Sequence, residues 1–225
     1  MTLFAIAVRA IAAYNVSRFM RLRVEGAEHL PSRGAAVVAA RHYHHLFDGA
    51  ALVHGLRRQP HIFVALDWAA SRFERALMET VCRLAAWPVA LRGAALDGTT
   101  VSAFDSSETL RYVRRAIAFA ATLLRRGKVV AIFPEGYPTI DPVRSRKAAD
   151  DEFLPFAPGL LAIVARAQRG RDVRIPIVPV GFTYVRSGER YDVTMRLGAP
   201  LFLETARSRG ELLAELECRV RALSS

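Results

Sequence analysis

Val37-Val38-Ala39-Ala40-Arg41-His42-Tyr43-His44-His45-Leu46-Phe47-Asp48-Gly49-Ala50, VVAARHYHHLFDGA, joins a short apolar run to three imidazoles and a carboxylate. Gly34 to Ala40 has strand character, and Asp48 to Arg58 reads as a helix opened by an N-cap aspartate. The chain therefore passes from strand through a polar loop into helix, and the same alternation recurs downstream. His61 to Leu66 is the next strand, followed by a helix from about Asp67 to Ala86 and a short strand Pro88 to Leu91. Ser106 or Ser107 caps a helix that Gly127 stops, and Lys128 to Phe133 is an apolar strand ending at a proline. A helix over about Pro158 to Arg169, strands at Ile175 to Tyr184 and Tyr191 to Gly198, and a helix from Thr205 to Leu223 complete the pattern. Strands separated by helices imply an α/β fold, with a largely parallel sheet covered on both faces.

The 225 residues, 52% of them hydrophobic, suffice for one large core, and no linker-like stretch or repeat divides them. The one dense polar stretch, Asp141 to Glu152, reads as a surface loop. The net charge of +11 implies an anionic partner: nucleic acid, a membrane surface or a phosphorylated small molecule. Nearly all of the positive charge is arginine, Lys128 and Lys147 being the only lysines. The basic residues do not form one helix with interleaved aromatics and no nucleic-acid-binding motif is present, so nucleic acid is not the expected partner. Cys82 and Cys218 are isolated and form neither a zinc pattern nor a disulfide framework.

Leu3 to Val16 is almost wholly apolar, yet shorter than the roughly 20 residues a spanning helix needs. No secretory cleavage site follows it, and Arg18, Arg21 and Arg23 do. Two readings stand side by side: a helix lying in a membrane surface with arginines toward the headgroups, or a core-packing first helix with an exposed cationic edge. The first divides the chain into a membrane-surface unit, 1–23, and a catalytic domain, 24–225.

In α/β sheets, ligand-binding groups collect in the loops beyond strand ends. The first strand is followed by RHYHHLFD, the third by Arg92-Gly93, the fourth by Pro134 to Pro138, and the fifth by GFTY. A histidine beside a carboxylate is the minimum for general-base catalysis, because the acid fixes the tautomer and stabilises the imidazolium. Taken alone, the cluster could equally be a capped histidine-rich turn. Zinc is the least favoured reading, since alternate residues of a turn seldom converge on one ion. Arg92 could clamp a phosphate or be one more surface cation. Glu135, between Pro134 and Gly136 directly after a buried strand, must be hydrogen-bonded to offset its desolvation, either to a ligand hydroxyl or to a backbone turn.

Together these residues resemble the glycerolipid acyltransferases, from about Val24 to Leu201. VEGAEHLPSRGAAVVAARH is similar to that family's approach to its H-x-x-x-x-D block, PVALRG to its arginine block, and AIFPEGYP to its F-P-E-G block. FAPGLLAIVARA followed by IPIVPVGF, and then MRLGAPL, are similar to its later segments. The resemblance implies transfer of a fatty acyl group from acyl-CoA or acyl carrier protein to the hydroxyl of a glycerolipid-type acceptor, without an acyl-enzyme and without a cofactor. It implies a histidine base oriented by Asp48, Arg92 on an acceptor phosphate, and Glu135 with Gly136 shaping the acceptor pocket. It also implies peripheral work on membrane lipids at the cytoplasmic face.

The chain departs from the pattern at Arg41, where Asn or Ser is common, and at Tyr137-Pro138-Thr139, which replaces T-R-S. Five residues separate His42 from Asp48 and three separate His44 from it, so neither histidine has the family spacing. His42 is preferred as base because it stands nearest the strand end, with a loop bulged at Tyr43 to His45 returning Asp48 to it; His44 is the alternative. A catalytically inactive lipid-binding or scaffold protein of the same fold is the competing function.

Overall fold

The computed structural model describes residues 3–92, 101–141, 145–149, 152–204 and 208–225. Gly93 and Thr205, both used in the sequence reading, lie outside these residues, as do parts of the polar stretch after Asp141.

Eight strands are present among the described residues: β1 Met20–Glu25, β2 Ala36–Ala40, β3 Pro60–Ile62, β4 Val64–Ala65, β5 Val89–Ala90, β6 Val129–Ile132, β7 Ile177–Ser187 and β8 Arg190–Leu197. Six form the main sheet in the order β1-β8-β7-β2-β6-β3, and β4 pairs with β5 separately. β2, β3, β6 and β7 run parallel, β8 returns antiparallel to β7, and β1 lies parallel to β8 at the edge. The fold is thus the mixed, largely parallel α/β sheet that the alternation of strands and helices implies.

β2 sits centrally because every one of its five side chains is apolar and buried. Its alternate residues serve opposite faces. Ala36, Val38 and Ala40 join Val178, Val180, Ala131 and the helices α1 Leu3–Phe19 and α2 Phe47–Gly55 in one core. Val37 and Ala39 join Val130, Ile132 and Ile177 in a second core with α4 Thr109–Arg125, α5 Gly159–Gln168 and α6 Arg209–Leu223. A smaller cluster, Leu66, Ala69, Cys82, Leu91 and Phe104, ties α3 Arg72–Ala85 to the β4-β5 pair.

Four local expectations are revised. Met20–Glu25 is a strand that crosses position 23, where the sequence reading put a unit boundary; Met20 is buried and Arg21 and Arg23 are exposed. The run His61 to Leu66 divides between two sheets: the Phe63 N–H still donates to the Ala131 carbonyl of β6 at 2.8 Å, whereas the Val64 N–H donates to the Pro88 carbonyl beside β5 at 2.8 Å. The helix expected from Asp67 begins only at Arg72, where Ser71 and Glu74 form a reciprocal capping box. Asp48 is not an N-cap: it lies inside the first turn of α2, fully buried, and its carboxylate turns back toward the preceding loop.

Candidate active site

Backbone N–H groups of β2 point alternately to its two neighbours. Those of Val37 and Arg41 reach the β7 side at the carbonyls of Pro176 and Val180, while that of Ala36 reaches Lys128 on the β6 side. By this alternation the His42 N–H faces β6, but β6 ends at Ile132. The Glu135 carboxylate takes the place of the missing strand, and its Oε1 accepts the His42 N–H at 2.8 Å. Gly136 makes that reach possible with a φ of 76°, a conformation other residues rarely adopt, which turns the chain sharply after Glu135.

The His42 imidazole stacks on Phe133, with ring centroids 4.3 Å apart. Its Nδ1 donates to Asp48 Oδ2 at 2.9 Å, which leaves Nε2 as the basic nitrogen. The same Asp48 oxygen accepts the N–H groups of Tyr43 at 2.7 Å and His44 at 3.0 Å, and Oδ1 accepts the Tyr184 hydroxyl at 2.6 Å. Four donors thus satisfy a carboxylate with no exposed surface. The two loop amides that fold onto Asp48 absorb the extra residue between it and His42. Burial, with Asp48 alongside, raises the Tyr184 hydroxyl well above its ordinary pKa, so it stays a donor.

His44 is arranged differently. Its Nδ1 accepts the N–H groups of Leu46 and Phe47 at 3.3 and 3.4 Å, and its ring stacks on Phe47 at 3.9 Å. Burial, and then the neighbouring His45, pushes its pKa down to about 4. His44 thus serves the first turn of α2 as a neutral acceptor, while His45 bonds the Ile140 carbonyl. Among the described residues no three His, Cys, Asp or Glu side chains gather in a way that could hold a metal ion.

Arg92 follows β5. Its Nε and one terminal nitrogen hold the buried Asp67 carboxylate at 2.6 to 3.1 Å, and the other terminal nitrogen donates to the Gly136 carbonyl at 2.8 Å. Its guanidinium lies 4.2 Å from the centroid of the Tyr137 ring, and that of Arg146 lies 5.0 Å from the same ring. Arg92 therefore stands beside the F-P-E-G turn with its charge already matched by Asp67.

Glu135 carries a further partner. Its Oε2 accepts the Leu154 N–H at 3.2 Å and pairs with Lys147 Nζ at 2.6 Å, and neither side chain of that pair is exposed. The structure thus gathers His42, Asp48, Glu135, Gly136 and Arg92 at the carboxyl ends of the parallel strands. The sequence reading did not single out Tyr184, Asp67, Arg146 or Lys147. Tyr184 ends the GFTY segment noted after the fifth strand. Arg146 and Lys147 lie in the stretch read as a surface loop, and Asp67 was read as the start of a helix.

The Acyltransferase family model matches residues 21–183. No curated protein sequence matches the chain. Among solved structures, the chain is similar in fold to the 1-acyl-sn-glycerophosphate (LPA) acyltransferase PlsC from Thermotoga maritima, with a TM-score of 0.63 and 18% identity over 97% of this chain and 77% of that one. The family match begins in β1 and ends inside β7, so it takes in the whole run from the histidine loop through the arginine and F-P-E-G segments, and the chain belongs to the acyltransferase family.

Proposed function

We propose that this chain transfers a fatty acyl group from an acyl thioester, carried on CoA or acyl carrier protein, to the hydroxyl of a glycerolipid-type acceptor. In this reading the His42 Nε2 removes the acceptor's hydroxyl proton while that oxygen attacks the thioester carbonyl. Collapse of the tetrahedral adduct expels the thiolate, which takes the proton back from the imidazolium. Ester and free thiol are the products, and no residue becomes acylated. The observation that carries the reading is the 2.9 Å contact between His42 Nδ1 and an Asp48 carboxylate held by three further donors. Such an arrangement fixes one tautomer and stabilises the imidazolium.

Arg92 and Arg146, both close to the Tyr137 ring beside the F-P-E-G turn, support an acceptor that carries a negative headgroup. Because Asp67 neutralises Arg92, its part is to aim donors rather than to supply net charge. Work at the cytoplasmic face of a membrane, as a peripheral protein, accords with the net charge of +11 and with an apolar outward stripe on α1. Among the described residues, no helix is long and apolar enough to cross a membrane.

The test is thiol release from a long-chain acyl-CoA, and from acyl carrier protein, across a panel of glycerolipid acceptors. His42→Ala should lose about a hundred- to ten-thousand-fold in rate, whereas His44→Ala should stay outside that range. Equal loss from both would remove the basis for choosing His42, and undiminished turnover in His42→Ala would end the general-base reading.

A further inference from the structure

Lys147 is one of two lysines in the chain, and its side chain has no exposed surface. Its ammonium donates to the His42 carbonyl at 2.7 Å and pairs with Glu135 Oε2 at 2.6 Å. Glu135 Oε1 in turn accepts the His42 N–H. The three residues close a ring of bonds around His42, which is held at its N–H through the carboxylate and at its C=O by the ammonium. The Thr139 N–H also reaches that carbonyl, at 3.2 Å, so the ammonium tightens a hold that the backbone begins.

The described residues on either side of Lys147 make local bonds of their own. Ser145 Oγ accepts the Lys147 N–H at 3.1 Å and donates to the Pro138 carbonyl, and the Glu152 carboxylate accepts the Ala148 N–H. Burying an ammonium is costly, and burial lowers the Lys147 pKa while Glu135 works against that shift. A buried lysine with both of these bonds requires an account that a solvated loop residue does not.

We infer that Lys147 is a positioning residue for the base, locking the His42 peptide so that the imidazole keeps its alignment on Asp48; the inference rests on His42 being the base. Without Lys147, the Glu135 carboxylate loses its counter-charge and the His42 carbonyl loses its shorter bond. The ring then gains freedom about a residue that lies past the end of β6 and is left with the Thr139 N–H and an uncompensated carboxylate to hold it. Misplacement of a catalytic group by about 1 Å is enough for roughly a hundredfold loss in rate.

The test compares the wild type with Lys147→Met and with the Glu135→Gln/Lys147→Met double variant, all as the full chain. Three quantities are measured: urea stability, kcat and KM by thiol release, and the tautomeric state of the His42 ring by nitrogen-15 NMR. Lys147→Met should lower stability and reduce kcat about a hundredfold with KM little changed. The double variant should recover stability, because no unpaired charge is left buried, yet keep the low kcat. In both variants His42 should lose its single Nδ1–H tautomer. If Lys147→Met does not fold, the double variant carries the comparison. Recovery of kcat together with stability, or unaltered His42 ring signals, would overturn the inference and leave Lys147 as a counter-ion to Glu135. Absence of wild-type turnover would count against acyl transfer, while the ring signals would still decide the question of Lys147.

Discussion

Three histidines within four residues are put to three uses by the partners of their Nδ1 atoms: a carboxylate for His42, two amides for His44 and a carbonyl for His45. His44 can accept from Leu46 and Phe47 only while Nδ1 is unprotonated, and its burial holds it so. Its folded pKa of about 4 lies below the ordinary value of 6.5. Between those values the unfolded chain binds more protons than the folded one, so stability rises with pH across the window. The contribution is fully present above about 6.5 and is lost as the pH falls toward about 4. His44→Asn keeps an acceptor for the helix amides but removes the titration. Urea-unfolding free energies measured from pH 4 to 7 should therefore rise less steeply in that variant than in the wild type. Parallel profiles would mean that another group sets the acid slope.

Elements that run close together leave no room for side chains, and β7 and α6 meet at Gly181. A Cβ there would stand 2.3 Å from the backbone C and O of Leu223, the last residue of α6. Gly181→Ala must push the helix end away or distort the strand that carries Tyr184, at a cost of about 1–3 kcal/mol, as for other overpacked sites. A lowered urea midpoint checks this, and an unchanged one would show that α6 moves freely. β2 and β6 were readable in the sequence because a strand buried on both faces is a continuous apolar run. β1 was not, since its alternation of Met20, Leu22 and Val24 with Arg21 and Arg23 was taken as a charge cluster following a helix. The division of His61 to Leu66 between two sheets leaves no mark on an unbroken apolar run. The site divided in the same way. His42, Asp48, Arg92, Glu135 and Gly136 stand directly after strands or open a helix, where position alone draws attention. Lys147 is 105 residues from His42, and its burial depends on a loop closing over Glu135, which composition cannot register.

At the scale of the whole molecule, α1 is apolar on two sides. Ala12 and Val16 are buried in the core, and Arg9 donates to the Leu56 carbonyl at 2.8 Å, so the helix belongs to the packed domain. Its opposite stripe, Leu3, Ile6, Ala7, Ala10, Ile11 and Tyr14, faces outward, with Leu3 87% and Ile11 63% exposed. α3, which touches α1, adds Phe73, Leu77 and Leu84, also exposed. Exposed apolar side chains along one stripe of a helix suit an apolar partner, and the membrane association proposed above supplies one. Arg21 and Arg23 contribute less than their number implies, because they pair with Asp192 and Glu25. The apolar stripe should therefore dominate, and salt should weaken binding only in part, since screening acts over about 8 Å at physiological ionic strength. Truncation before β1 is a poor test, because it also removes Ala12, Val16 and the Arg9 bond from the core. Ile6→Ser with Ile11→Ser changes only the outward stripe. Each buried side chain of that size is worth about 1.5–3 kcal/mol, so the double substitution should reduce partitioning onto anionic phosphatidylglycerol vesicles by at least about tenfold with urea stability unchanged. Equal flotation of variant and wild type would assign the stripe no part in lipid binding and turn attention to α3.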